Sequence, residues 1–236
     1  MDIKGVVALV TGANRGIGRH FVQQLLERGA TKVYATARNP ERVDIAGAHV
    51  LQLDVTDPSS VAAAAAASPD VTLLINNAGV SLSQNYLDGN LDDIRLELET
   101  LFWGTLNTTR AFAPVLAANG GGAVLNVLSA MSWFSYDGAN SYASAKAAQW
   151  ALTNGTRLEL ARQGTLVTAL HMGLVDTDMA AGYDVDKLDP ADVVRTALDG
   201  VAAGALEILV DDASRQVKAA LALDPSALYP QTAAAA

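Results

Sequence analysis

Three side chains in this sequence have the types and spacing to move a proton together. Tyr142 and Lys146 stand four apart in Y-A-S-A-K, residues 142–146, so on a helix they share one face. A free phenol titrates near pH ~10 and is a poor acid or base at neutral pH. A nearby ammonium favours the phenolate, and a downward shift of roughly two to three units is within reach of a partly desolvated pair. Ser129 lies thirteen residues before Tyr142. Its hydroxyl can hydrogen-bond a substrate oxygen as charge develops there. Taken singly, a tyrosine is more often core and a lysine a solvated helix face. The set gains meaning only if another part of the chain brings a reactant to it.

That part is the segment T-G-A-N-R-G-I-G, Thr11 to Gly18. Gly12 permits a tight turn off a strand. Gly16 and Gly18 let backbone N–H groups and a helix start approach a pyrophosphate closely. The spacing is G-x-x-x-G-x-G, three glycines in seven residues between a strand and a helix, which a plain turn does not require. NAD-binding turns usually have an acid about 20 residues further on, for the ribose 2′-hydroxyl. Here that region reads Tyr34–Ala35–Thr36–Ala37–Arg38, with no acid. A guanidinium can hold a 2′-phosphate in a bidentate way, and Arg15 could reach the same group. NADP(H) is therefore favoured, with NAD(H) possible.

The elements that must position these groups alternate. Strands are expected at Val6–Val10, Lys32–Thr36, Val50–Leu53, Val71–Ile75, Ala123–Leu128, Leu166–Leu170 and Glu207–Val210. Helices are expected at Gly16–Arg28, Asp57–Ala67, Leu91–Leu116, Ala139–Arg162, Pro190–Ala202 and Ala213–Leu223. Strands this apolar are buried on both faces, which implies an α/β fold, a doubly wound, mostly parallel, seven-stranded sheet covered by helices. Ligands then bind beyond the C-terminal strand ends. There Asp54 could accept from an adenine amino group or simply serve turn chemistry. Asn76 should tie neighbouring strands, while Asn77 and Gly79 can line a ribose.

The 236 residues fit one domain, with a cofactor half of about residues 1–125 and a catalytic half of about 126–236. No cysteine is present, which excludes thiolate metal sites and a cysteine nucleophile. Three widely spaced histidines make no metal site, and a net charge of −9 disfavours nucleic acid and anionic lipid. No signal or membrane span stands out, so a cytoplasmic protein is expected, with a frayed tail at Thr232–Ala236.

Together T-G-A-N-R-G-I-G (11–18), D-V (54–55), N-N-A-G (76–79), Ser129 and Y-A-S-A-K (142–146) resemble a single-domain short-chain dehydrogenase/reductase, a Rossmann-fold family, over nearly the whole chain. The resemblance implies hydride transfer between a nicotinamide and a carbonyl/alcohol pair. By the same resemblance Tyr142 is the acid/base, Lys146 tunes it and holds the nicotinamide ribose, and Ser129 orients the carbonyl. The cofactor would lie along Gly12, Asn14, Arg15, Gly16, Ile17 and Gly18, then Arg38, Asp54 and Val55, then Asn77, Ala78 and Gly79. Gly173, Val175 and Thr177 would complete its site. Two positions depart from the family. Leu101 stands where an asparagine often supports a relay water, so the helix backbone suffices, Asn107 substitutes, or turnover is slow. Met172 replaces the usual proline before Gly173.

Trp133, Phe134 and Tyr136 could form an apolar wall or pack their own loop, and Met179–Leu188 should cover the pocket. A small apolar ketone, aldehyde or secondary alcohol fits best. His171 reads as a packed strand-end histidine. A homodimer or homotetramer through the long helices is expected. A catalytically weak NAD(P)-binding sensor is the alternative. An epimerase or dehydratase would need more chain after Thr177.

Overall fold

The apolar runs assemble into one sheet in the computed structural model, which describes residues 1–233. Its strands are β1 (Val7–Val10), β2 (Lys32–Ala37), β3 (His49–Gln52), β4 (Leu73–Asn76), β5 (Ala123–Val127), β6 (Leu166–His171) and β7 (Glu207–Leu209). They pair in the order β3-β2-β1-β4-β5-β6-β7, and every pairing is parallel. The sheet is thus wholly rather than mostly parallel. The expected tail lies largely outside the described residues.

The helices are α1 (Gly16–Glu27), α2 (Pro58–Ala67), α3 (Leu91–Leu98), α4 (Gly104–Ala118), α5 (Asn140–Leu160), α6 (Pro190–Ala202), α7 (Asp212–Ala220) and the short α8 (Pro230–Ala233). Alternation along the strands sorts the core into two layers. Ala8 and Val10 pack with Phe21, Val22 and Leu25 of α1 and with Val193, Val194 and Leu198 of α6. Leu9 and Val124 face the other way, onto Val61 of α2, Phe112 and Leu116 of α4, and Leu160 of α5. Among the described residues, no helix is long and apolar enough to cross a membrane.

The single helix expected over Leu91–Leu116 is interrupted. Residues Glu99–Trp103 form a wider π turn between α3 and α4. Such turns sit inside helices as single-turn insertions, with no glycine or proline to mark this one. The order of the strands reverses between β1 and β4. A cleft opens there beyond the C-terminal strand ends, as open parallel sheets require.

Candidate active site

The glycine turn is built by close backbone approach. Gly12 and Gly16 have φ of +68° and +52°, which favour glycine. A Cβ on Gly18 would stand 2.2 Å from the Gly12 carbonyl oxygen, and one on Gly12 would stand 2.9 Å from Ala78 Cα. The N-N-A-G segment braces this turn. Asn77 Nδ2 donates to the carbonyls of Thr11 and Gly12 at 2.9 and 3.1 Å, and Thr11 Oγ1 accepts from the Asn77 and Ala78 amides at 2.9 Å each. The Asn77 amide nitrogen thus braces the turn, while the residue still borders the cleft. Helix α1 starts here with no acidic residue in its first turn, so its N-terminal amides present an uncompensated positive end to the cleft.

Beyond β2, Arg38 lines the cleft together with Asn39 and Arg42. Sequence reasoning missed Arg42, which a short 3-10 turn at Pro40–Arg42 brings alongside. Arg15 also lines the cleft, but its guanidinium pairs with Asp178 at 3.2 Å across the mouth, both side chains well exposed. Asp54 does turn chemistry: its Oδ1 accepts from the Thr56 amide at 3.0 Å and the Thr56 hydroxyl at 2.7 Å. It still borders the cleft beside Val55.

Strand β5 and helix α5 deliver the candidate catalytic side chains. Asn76 joins β4 to β5 by donating to Asn126 Oδ1 at 2.8 Å, and Asn126 in turn donates to Thr153 of α5 at 2.9 Å. Ser129, Tyr142 and Lys146 all face one cleft of about 810 Å³, with the glycine turn along its other wall. Gly173, Val175 and Thr177, after β6, line it as well, as do Asn14, Ile17 and Gly79. Phe134, Tyr136, Met179, Tyr183 and Val185 form its apolar mouth, with Val217 of α7.

Trp133 does not join that wall. The 3-10 turn Ala130–Ser132 sends its ring back onto His171, with centroids 3.8 Å apart and planes at 16°. His171 is wholly buried beneath it, its Nδ1 3.0 Å from the Ser129 carbonyl oxygen, and does not border the cleft.

The electrostatics correct one expectation. Burial pushes the Tyr142 phenol above its ordinary range. The Ser129 hydroxyl beside it pulls the other way, and the Glu97 charge adds to the rise. Lys146 does not reverse this. Its Nζ lies 5.7 Å from the Tyr142 ring centroid, and burial pulls its own pKa down to about 7. Desolvation outweighs the attraction that the spacing alone suggested.

A profile of the short chain dehydrogenase family matches residues 6–188. An uncharacterized oxidoreductase of Staphylococcus aureus is 32% identical over 206 residues, covering 81% of this chain and 89% of its own. The chain belongs to the short-chain dehydrogenase family. Among solved structures, a short chain dehydrogenase from Burkholderia cenocepacia in complex with NADP has 38% identity, a TM-score of 0.93 and 98% coverage of both chains. One from Sphingobium yanoikuyae in complex with NADPH has 26% identity, a TM-score of 0.81 and 92% coverage of both.

In this short-chain dehydrogenase, Leu101 is buried in the π turn and packs on Gly79, whose added Cβ would meet it at 3.1 Å. Glu97 of α3 is a second residue that sequence reasoning missed. Its carboxylate is fully buried, accepts from the Leu82 amide at 2.6 Å and takes a short hydrogen bond from Ser141, next to Tyr142. It fastens the loop after β4 to the start of the helix that carries Tyr142. No motif marks it, because an acid in a helix normally reads as a solvated face.

Proposed function

We propose that this short-chain dehydrogenase reduces the carbonyl of a small apolar ketone or aldehyde with NADPH, or runs the reverse oxidation of a secondary alcohol. The observation that carries the reading is the convergence of Ser129, Tyr142 and Lys146 on one cleft whose far wall is a glycine-built anion cradle. The residues present fit a dinucleotide. The turn around Gly12, Gly16 and Gly18 has room only for backbone, and the acid-free start of α1 suits a pyrophosphate. Arg38 and Arg42 would meet a 2′-phosphate, which NAD(H) lacks. Two solved relatives carry NADP and NADPH. The half up to about residue 125 supplies the cradle, and the half from about 126 supplies the chemistry.

The bound nicotinamide supplies the hydride that reaches the carbonyl carbon. Tyr142 gives its phenol proton to the carbonyl oxygen, so that an alcohol results and solvent restores the proton. The phenol holds that proton at neutral pH, and burial makes it a weak donor, so the Ser129 hydroxyl and the Lys146 charge must stabilise the phenolate as it forms. The Ser129 hydroxyl donates to the same oxygen and stabilises its developing charge. Lys146, in its ammonium form, stabilises the phenolate left behind and offers a donor to the ribose. The side chains of Phe134, Tyr136, Met179 and Tyr183 are uncharged, and the nearby Arg15 and Asp178 charges pair with each other, which favours an apolar substrate. Exposed Leu91, Leu96 and Trp103 offer a face for a second copy in a dimer or tetramer.

The test is NADPH consumption with a panel of aliphatic and aromatic ketones, in wild type and in Tyr142→Phe. The variant should bind NADPH normally while kcat falls at least ~10²-fold, the scale of general acid catalysis. A near-wild-type rate in the variant refutes the assignment. Tight NADPH binding with no turnover of any carbonyl by wild type points instead to a cofactor-sensing protein.

A further inference from the structure

Lys146 is held by a buried polar chain that crosses from α5 to α4. Its Nζ donates to the Val127 carbonyl at 2.7 Å and to Gln149 Oε1 at 2.9 Å. Gln149 Nε2 donates in turn to Thr105 Oγ1 at 2.8 Å. Lys146, Gln149 and Thr105 are 5%, 1% and 3% exposed, so water does little for any of them. The amide has only one workable orientation. An ammonium only donates, so the oxygen must face Lys146 and the NH₂ must face Thr105. Thr105 lies one turn past Leu101, which borders the same cleft without a polar side-chain atom.

We propose that Gln149, oriented by Thr105, is a positioning residue that fixes Lys146 Nζ beside Tyr142 and sustains its charge from within the protein. An ammonium has three N–H groups. Val127 and Gln149 take two, which leaves one for the cleft. With an alkyl side chain at 149, the buried charge loses an acceptor and the neutral amine gains. With a carboxylate there, the ammonium gains. The titratable groups packed around Lys146 are Tyr142 on its own helix and His171 on β6, with Glu97 of α3 beyond Tyr142. None of them is altered by a change at 149 or 105.

The proposal rests on the reading of Lys146 as part of the reaction site, yet its first test needs no turnover. Lysine labelled with ¹³C at Cε is titrated by NMR in the full chain, and the Lys146 resonance is assigned by its loss in Lys146→Met. Gln149→Leu should lower the Lys146 midpoint by about one pH unit and Gln149→Glu should raise it by a similar amount. Thr105→Val, which leaves the amide unanchored, should lower it by less, and Thr105→Ser should restore the wild-type value. A midpoint that stays put in the folded variants overturns the proposal, as does a shift of the same sign for leucine and glutamate. If Gln149→Leu does not fold, Gln149→Glu and Thr105→Val still decide. In ketone reduction, the loss of rate as pH rises should move in the same directions. A purely structural role for Gln149 would lower kcat without moving that limb. Absence of turnover in wild type would remove the reaction assignment, while the NMR titration would still decide whether Gln149 governs Lys146.

Discussion

Two buried bases flank the chain at and just past the end of β5, and each leans on a carbonyl there. Lys146 donates to Val127, and His171 Nδ1 sits on the Ser129 oxygen. Burial depresses both, Lys146 to about 7 and His171 to about 4. Only Lys146 meets the cleft, with a glutamine relaying its charge to α4. His171 lies under the Trp133 ring, its Nε2 without a hydrogen-bond partner and 3.8 Å from Glu207. A perturbed pKa alone would have nominated both. Access to a reactant, together with partners for the charged form, separates the base proposed to work from the packed one.

The largest expected effect tests the working side of this comparison. Lys146→Met should cut kcat/KM for ketone reduction at least ~10²-fold. Its melting temperature should fall, because the Val127 carbonyl and Gln149 Oε1 lose their buried donor. A variant that keeps its activity would reverse the roles assigned here.

On the cofactor wall, Arg38→Asp should raise the KM for NADPH by about tenfold or more, the loss of one charge-assisted contact plus repulsion, and change that for NADH far less. Equal changes for the two cofactors would mean that Arg38 does not meet the phosphate.

The packed side predicts acid sensitivity rather than lost activity. The folded chain keeps His171 neutral down to about pH 4, whereas the unfolded chain takes up the proton near ~6.5. Below that value protons favour the unfolded state, so stability falls as pH drops. The histidine contributes on the order of 2 kcal/mol of that loss between pH 7 and 5. Denaturant unfolding at the two pH values should therefore show a smaller difference in His171→Gln than in wild type. Turnover of that variant at pH 7 should change least of all, within about twofold. A large loss of turnover would bring His171 into the chemistry.

Much of this was legible in the residues. The strands announced themselves because parallel sheets demand unbroken apolar runs, and the glycines because their positions tolerate no Cβ. Tyr142 and Lys146 were found because i, i+4 spacing fixes their relation on any helix. What stayed hidden depended on tertiary burial. Gln149 and Glu97 have no motif, since their roles come from what packs over them. The break at Glu99–Trp103 carries no glycine or proline to announce it. Trp133 and Phe134 are adjacent in sequence, and only the 3-10 turn before them decides which one faces the cleft. The phenol's direction of shift was misjudged for the same reason: spacing gives a neighbour, not the amount of water removed.

The central claim is that one phenol and one hydroxyl of this cleft hold a carbonyl oxygen while hydride arrives from the glycine-turn side. A crystal grown with NADP⁺ and soaked with a slow-reacting aromatic ketone tests it most directly. The account predicts the carbonyl oxygen within about 2.6–3.2 Å of both Tyr142 Oη and Ser129 Oγ, with its carbon against the nicotinamide ring. A ketone bound with its oxygen turned away from both, or a nicotinamide lodged away from Lys146, would contradict it.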